Sequence, residues 1–305
     1  MSDADVKKTE YDLLTEQTQS QNARIASLLA VVLLFFYWIT PKLNFGGMGV
    51  VALMTLLSLF LILLFTVHTS RAIVSLKAKF VHLILSAMCA APFLINPKFP
   101  SPIVGLRMLL MMWFAISIGV LLAHIVKEIK ILLPISVTLA LVDLYVVFGG
   151  GMITQAIKQN DPAAQEMMKR FTVSLPKTHT PRGAAPMELM IGFADFLFIG
   201  LFFACFTQFK IPSQRTMWVM IGFLTAYMIF VAITGIPLPA LVPIAIVVLG
   251  MNLKHFKYER SEAFALLYAG LIVVSVLGGM TYRNSKKIVQ PPMNPSEIAR
   301  PVRIK

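Results

Sequence analysis

Charged side chains are scarce in this chain, and acidic ones are the scarcest. Only 13% of the 305 residues are charged, with 14 Asp and Glu against 27 Lys and Arg. A soluble domain carries about 25% charged residues, so the composition excludes a soluble globular protein. Because 57% of the residues are hydrophobic, we predict an all-α, polytopic integral membrane protein.

Cysteine is nearly absent, and several common catalytic motifs are absent altogether. The two cysteines, Cys89 and Cys205, fall in apolar stretches, so the sequence predicts neither a disulfide framework nor a metal site. The sequence has no His-Glu-x-x-His, no Gly-x-Ser-x-Gly and no glycine-rich phosphate loop. These motifs are typical of zinc hydrolases, serine hydrolases and nucleotide-binding proteins. We therefore expect no metal and no cofactor.

Basic residues give the chain a net charge of +13, and they are scattered among short loops. Lysine and arginine in such loops typically face anionic lipid headgroups. The pattern therefore favours the lipid bilayer, and not nucleic acid, as their partner. The two sides of the predicted bundle carry similar numbers of basic residues, so the positive-inside rule leaves the orientation open.

Long apolar stretches divide the chain into a polar tail (1–24), a transmembrane domain (25–281) and a basic, proline-containing tail (282–305). A membrane span needs about 20 apolar residues, which predicts about nine spans. They cover residues 25–40, 48–67, 80–95, 103–124, 131–148, 188–209, 216–234, 238–252 and 263–281. The connections are short except for the long loop 151–187, where the alternating segment 171–175 predicts a strand.

Two acidic residues stand inside these apolar stretches, Asp143 in the fifth predicted span and Asp195 in the sixth. An acid in hydrocarbon costs about 2.5–3.5 kcal/mol even on a mild insertion scale, so its presence indicates a function. Each lies roughly seven residues, or about 10 Å, from the long loop between the two spans. Because consecutive spans run antiparallel, we predict that the carboxyl groups reach one depth and lie within roughly 4–8 Å of each other.

A close pair of intramembrane acids has three interpretations. The pair shares a proton, so one carboxylate can take a proton from water while its protonated partner polarises a carbonyl group, as in aspartic proteases. The acids fit a proton-coupled transporter equally well. In the third interpretation each acid only hydrogen-bonds a neighbouring helix and has a structural role.

A third stretch combines prolines with an apolar span. Pro237, Pro239 and Pro243 open the eighth predicted span. Each proline removes a backbone donor and interrupts helical hydrogen bonding, which leaves backbone groups open near an apolar interior. We predict that segment 239–241 has an irregular first turn and packs beside both acids.

Together, these stretches resemble the presenilin and signal-peptide-peptidase family of intramembrane aspartyl proteases. The family pattern is Tyr-Asp on one span, Gly-x-Gly-Asp on the next and Pro-Ala-Leu on a later one. Asp143 matches the first acid, and Gly192 and Asp195 match the outer positions of the second motif. The third motif is matched completely, by Pro239, Ala240 and Leu241.

The chain departs from this pattern at two motif positions and in its number of spans. Val142 stands where the family has tyrosine, and Ala194 stands where it has the second glycine. Four predicted spans precede Asp143, one fewer than in the family, and an additional span follows the Pro-Ala-Leu span. A non-catalytic homologue is therefore a further alternative.

The resemblance implies an enzyme that hydrolyses peptide bonds of transmembrane proteins or peptides within the bilayer. It implies that Asp143 and Asp195 form the catalytic dyad. The residues implied to bind the substrate beside the dyad are Gly192, Pro239, Ala240 and Leu241. A missing side chain at Gly192 lets a substrate or a neighbouring backbone approach closely.

Overall fold

The computed structural model describes residues 3–43, 48–74, 79–95, 104–148, 166, 170–176, 190–234 and 239–256, with scattered positions between 264 and 279. In this part of the chain the backbone is mostly helical. The continuous helices are α1 (Asp3–Ile39), α2 (Met48–Val74), α3 (Lys79–Ile95), α4 (Val104–Ala123), α5 (Leu132–Phe148), α6 (Phe193–Gln208), α7 (Gln214–Thr234) and α8 (Leu241–Asn252). Two short strands, β1 (Thr172–Ser174) and β2 (Met190–Gly192), lie between α5 and α6 in the chain.

Within the described ranges, five helical segments are long and apolar enough to cross a membrane. They are Gln17–Lys42, Ala52–Val74, Val104–Ala123, Ile129–Phe148 and Gln214–Val231. Helices α3, α6 and α8 are apolar but shorter. This set is compatible with an integral membrane protein that crosses the bilayer several times.

Each of the first eight predicted spans overlaps one of the helices α1 to α8. The predicted polar tail is part of α1, which is helical from Asp3 onward and runs without a break into the first predicted span. Most of the ninth predicted span, most of the long loop 151–187 and the whole of the basic tail 282–305 lie outside the described residues. The count of nine spans therefore stays a prediction.

Helices α4 and α6 pack against each other at the centre of the bundle. A Cβ atom on Gly119 of α4 would overlap the carbonyl oxygen of Leu197 and lie 2.8 Å from the backbone nitrogen of Leu201. On the facing side, a Cβ atom on Gly200 would lie 3.2 Å from the Cα atom of Ile116. Glycine permits this approach because it has no side chain. The contact fixes the position of α6, the helix that carries the second acid.

Helix α2 covers this central pair. It packs against α1, α4 and α6, and the hydroxyl of Ser70 donates a hydrogen bond to the carbonyl oxygen of Gly200 at 2.8 Å. Large aromatic side chains of α6 fill the remaining space, and the fully buried ones are Phe196, Phe202, Phe203 and Phe206. Rings of this size bury a large apolar area, so the core of the bundle lies around α6.

Helix α5 lies at the edge of the bundle and packs chiefly against α8. Only two of its residues, Leu132 and Ser136, are buried. Helix α8 also packs against α7 and contacts α6. The side-chain amide of Asn252 donates to the hydroxyl of Thr216 at 3.3 Å, which joins the end of α8 to the start of α7. Helix α8 therefore contacts both of the helices that carry the acids.

The two strands form an antiparallel pair that is held by α1. The hydroxyl of Tyr37 donates to the carbonyl oxygen of Ser174 at 2.8 Å. The N–H of Phe193 donates to the carbonyl oxygen of Phe171 at 2.9 Å, which extends the pairing to the first residue of α6. Strand β1 confirms the strand predicted within segment 171–175, and the pair makes the fold mostly helical rather than strictly all-α.

The sixth predicted span, 188–209, begins too early. Residues Met190–Gly192 form β2, and helix α6 begins at Phe193. Periodicity does not distinguish a strand from a helix in so short an apolar run, and the partner strand β1 decides between them. Asp195 therefore lies in the first turn of α6 rather than roughly seven residues, about two turns, into it. Gly192 lies at the end of the strand, immediately before the helix.

Candidate functional site

Asp195 is held by the strand that precedes its own helix. Gly192 is the N-cap residue of α6, and Asp195 is three residues further on. The N–H of Gly192 donates to Oδ2 of Asp195 at 3.0 Å. Because the first N–H groups of a helix have no partner within it, an acid in the first turn commonly caps this end. The capping bond orients the carboxylate of Asp195 at the junction between β2 and α6.

Asp143 is held by a helix distant in the sequence. The N–H of Leu241, the first residue of α8, donates to Oδ2 of Asp143 at 2.8 Å across 98 positions of sequence. The N-cap residue Ala240 makes no side-chain capping bond, and Pro239 has no N–H to donate. The acid on α5 therefore caps α8 in place of a local side chain.

Helix α8 links the two acids. Asp143 lies near enough to Asp195 for its charge to act on the second acid. Helix α8 brings them together, because its first residue binds Asp143 while the helix also contacts α6. Our separation of roughly 4–8 Å between the carboxyl groups stays a prediction for a pair that shares a proton.

Tyr227 is a residue of this site that no sequence motif indicated. Its hydroxyl donates to the carbonyl oxygen of Pro239 at 2.8 Å, and it interacts electrostatically with both Asp143 and Asp195. A signal was present in the sequence, because a tyrosine hydroxyl in an apolar span requires a hydrogen-bond partner. Its partner, however, is a backbone carbonyl group that no sequence pattern identifies.

The Pro-Ala-Leu segment contacts the first acid, as predicted, through its backbone. Leu241 contributes the N–H that binds Asp143, and Pro239 contributes the carbonyl oxygen that binds Tyr227. Ala240 lies between these two backbone groups as the N-cap of α8. The segment therefore contacts Asp143 at the start of α8, whereas an irregular first turn and a contact with Asp195 stay predictions.

The positions at which the chain departs from the family pattern are both exposed. The side chain of Val142 is 41% exposed, and Ala194 is also exposed. Neither side chain belongs to the packed core around the acids. Among the described residues, no three His, Cys, Asp or Glu side chains are grouped so as to hold a metal ion.

Substitution of Gly192 tests the capping bond to Asp195. Gly192 has φ −67° and ψ 145°, which proline can adopt, so Gly192→Pro removes the N–H donor with little backbone strain. We expect this variant to lose about 1.5–3 kcal/mol of unfolding free energy, the range for a hydrogen bond to a charged group. Chemical denaturation in detergent micelles measures the loss.

Gly192→Ala is the matched control, because it keeps the N–H. Its added Cβ atom would lie 3.3 Å from Oδ2 of Asp195, the end of a side chain that can shift. We expect a change of less than about 1 kcal/mol. Equal losses for Gly192→Ala and Gly192→Pro would contradict a stabilising role of the Gly192 N–H.

The candidate site thus combines three segments: α5 with Asp143, the β2–α6 junction with Asp195, and the start of α8 with Leu241. Backbone N–H groups orient both acids, and the phenol of Tyr227 on α7 binds the start of α8.

Comparisons of the chain with protein-family models, curated proteins and solved structures find no match.

Proposed function

We propose that this protein is an intramembrane aspartyl protease that hydrolyses peptide bonds of transmembrane substrates. Asp143 and Asp195 are its catalytic dyad. The observation that carries the proposal is the hydrogen bond from the N–H of Leu241 to Asp143. Asp143 in turn lies near enough to Asp195 for the two acids to interact. The hydrogen bond from Leu241 supports the proposal because it joins the first acid to the Pro-Ala-Leu segment, two motifs that lie on separate spans in the sequence.

The geometry of the acids fits an attack by water. Each carboxylate accepts its backbone hydrogen bond on Oδ2, and in this mechanism Oδ1 of each acid serves the attacking water or the peptide carbonyl group. The ionised acid takes a proton from the water as its oxygen attacks the carbonyl carbon of the peptide, and the protonated acid donates to the carbonyl oxygen. Transfer of a proton to the leaving nitrogen then breaks the C–N bond. The pair shares one proton, so acid and base are roles of the dyad as a unit.

The surroundings of the dyad suit a substrate that arrives within the bilayer. Helix α5 buries only Leu132 and Ser136 and packs chiefly against α8, so a transmembrane helix can approach Asp143 laterally. Peptide bonds in a helix are shielded, and the substrate must be extended before hydrolysis. Strand β2 ends at Gly192, whose N–H binds Asp195. An extended substrate segment lying along this strand pair would reach the dyad.

The test is cleavage of a model transmembrane peptide by the purified protein in liposomes. The peptide carries a helix-destabilised span, and mass spectrometry locates the cut. We expect cleavage within the span, and inhibition by a peptide in which a hydroxyl-bearing carbon replaces the carbonyl group of the cleaved bond. Such a group mimics the tetrahedral intermediate, and transition-state analogues bind about 10²-fold or more tightly than substrates.

Other outcomes would support the alternatives. A transporter predicts no cleavage at any pH, together with proton or solute flux into liposomes that depends on Asp143 and Asp195. A purely structural pair of helix caps predicts neither cleavage nor flux. Either result would overturn the protease proposal.

A further inference from the structure

Tyr227 contacts the candidate site but has no role in the proton transfers proposed above. Its hydroxyl donates to the carbonyl oxygen of Pro239 at 2.8 Å. We propose that Tyr227 is a positioning residue, which holds the first turn of α8 so that the N–H of Leu241 orients Asp143. The effect on cleavage rests on the proposed protease function, whereas the effect on the orientation of Asp143 does not.

The carbonyl group of Pro239 needs a hydrogen-bond donor because of its position at the start of α8. Because Ala240 is the N-cap, the carbonyl group of Pro239 precedes the helix and lies outside its hydrogen-bond ladder. Pro239 is buried, and a buried carbonyl group without a donor is costly in an apolar environment. Tyr227 supplies the donor, and Asp143 accepts from Leu241 on the other side of Ala240. Tyr227 of α7 and Asp143 of α5 therefore bind the backbone groups on the two sides of Ala240.

Tyr227 also lies close to the acids themselves. It interacts electrostatically with both Asp143 and Asp195, so the anchoring phenol belongs to the same cluster as the dyad. Helix α7, which carries it, packs against α8 and α2, and this packing places the backbone of Tyr227 next to the start of α8. The hydrogen bond from the phenol to Pro239 therefore connects the start of α8 to α7.

Removal of the Tyr227 hydroxyl leaves the carbonyl group of Pro239 without this hydrogen bond. Without its donor, the carbonyl group of Pro239 must turn toward another partner, and the N–H of Leu241 moves with it. The carboxylate of Asp143 follows that N–H and changes its orientation toward Asp195. Proton transfer depends steeply on geometry, so the loss should fall on turnover rather than on substrate affinity.

Tyr227→Phe tests the proposal, because it removes only the hydroxyl. In the cleavage assay we expect kcat to fall about fivefold, the effect of one lost hydrogen bond of about 1 kcal/mol, with KM changed less than about twofold. Tyr268→Phe is the matched control, because it removes a phenol hydroxyl from a side chain that is 65% exposed. Tyr227→4-aminophenylalanine keeps an N–H donor and should restore most of the turnover.

A second measurement separates this proposal from the proposed function. The infrared band of the Asp143 carboxyl group, assigned by its loss in Asp143→Asn, should shift in Tyr227→Phe and stay unchanged in Tyr268→Phe. If the parent protein cleaves nothing but the band shifts, the positioning role stands and the protease proposal fails. An unshifted band, or equal kcat for Tyr227→Phe and Tyr268→Phe, overturns the positioning role. If Tyr227→Phe does not fold, the 4-aminophenylalanine variant decides, since a donor at this place must preserve the band.

Discussion

Asp143→Asn and Asp195→Asn are each expected to lower cleavage of a model transmembrane peptide by about 10²–10⁴-fold, the contribution of a general acid or base. Asparagine has the size of aspartate, and its amide oxygen can accept the same backbone hydrogen bond. The bonds from Leu241 to position 143 and from Gly192 to position 195 should therefore survive. What asparagine cannot do is take up a proton or pass on the one that the pair shares.

This design separates catalysis from helix capping. Asparagine and aspartate cap helices about equally well, so we expect the unfolding free energy of both variants to stay within about 1 kcal/mol of the parent value. Asp143→Ala and Asp195→Ala lose the acceptor as well and should be less stable. Cleavage should also fall at high pH, where the pair loses its shared proton.

A matched control is an acid outside the site. Glu166 forms an exposed ion pair with Arg170 at 3.1 Å, and Glu166→Gln should leave cleavage unchanged because exposed ion pairs contribute little. Cleavage that persists in Asp143→Asn or Asp195→Asn would refute the dyad. Loss of cleavage together with loss of folding in the same variants would instead indicate caps that are essential for structure.

Gly119→Ala is expected to disrupt the centre of the bundle. The new Cβ atom would overlap the carbonyl oxygen of Leu197 and lie 2.8 Å from the backbone nitrogen of Leu201. Both are backbone atoms, so relief requires α4 and α6 to separate along their interface. Overpacking that a side chain can relieve costs about 1–3 kcal/mol, and we expect at least about 3 kcal/mol here. Against a total stability of about 5–15 kcal/mol, this loss should appear as a large drop in Tm in detergent.

Two other glycines complete the comparison. At Gly200 the nearest atom to an added Cβ would be the Cα atom of Ile116, at 3.2 Å, so Gly200→Ala should have an intermediate effect. At Gly222 an added Cβ atom would have no neighbour within 4 Å among the described residues. Gly222→Ala should be neutral or stabilising by up to about 1 kcal/mol, because alanine favours the helix. Equal effects at Gly119 and Gly222 would contradict the close approach of α4 and α6.

Composition and pattern alone determined the class of this protein and the approximate places of its helices. Hydrophobic runs of about 20 residues are a local property, and each of the first eight predicted spans overlaps a helix. The cost of an acid in hydrocarbon is equally local, so Asp143 and Asp195 could be singled out without a structure. The alternation in segment 171–175 likewise predicted β1.

Only the tertiary structure decided how these segments meet. Strand β1 recruits residues 190–192 from an apolar run, so α6 begins at Phe193 and Asp195 is placed in its first turn. Asp143 caps α8 across 98 positions of sequence, and Tyr227 is joined to Pro239 by its hydroxyl. The physical reason is that periodicity and composition act over a few residues, whereas backbone groups at strand edges and helix ends take whichever partner the packing brings near.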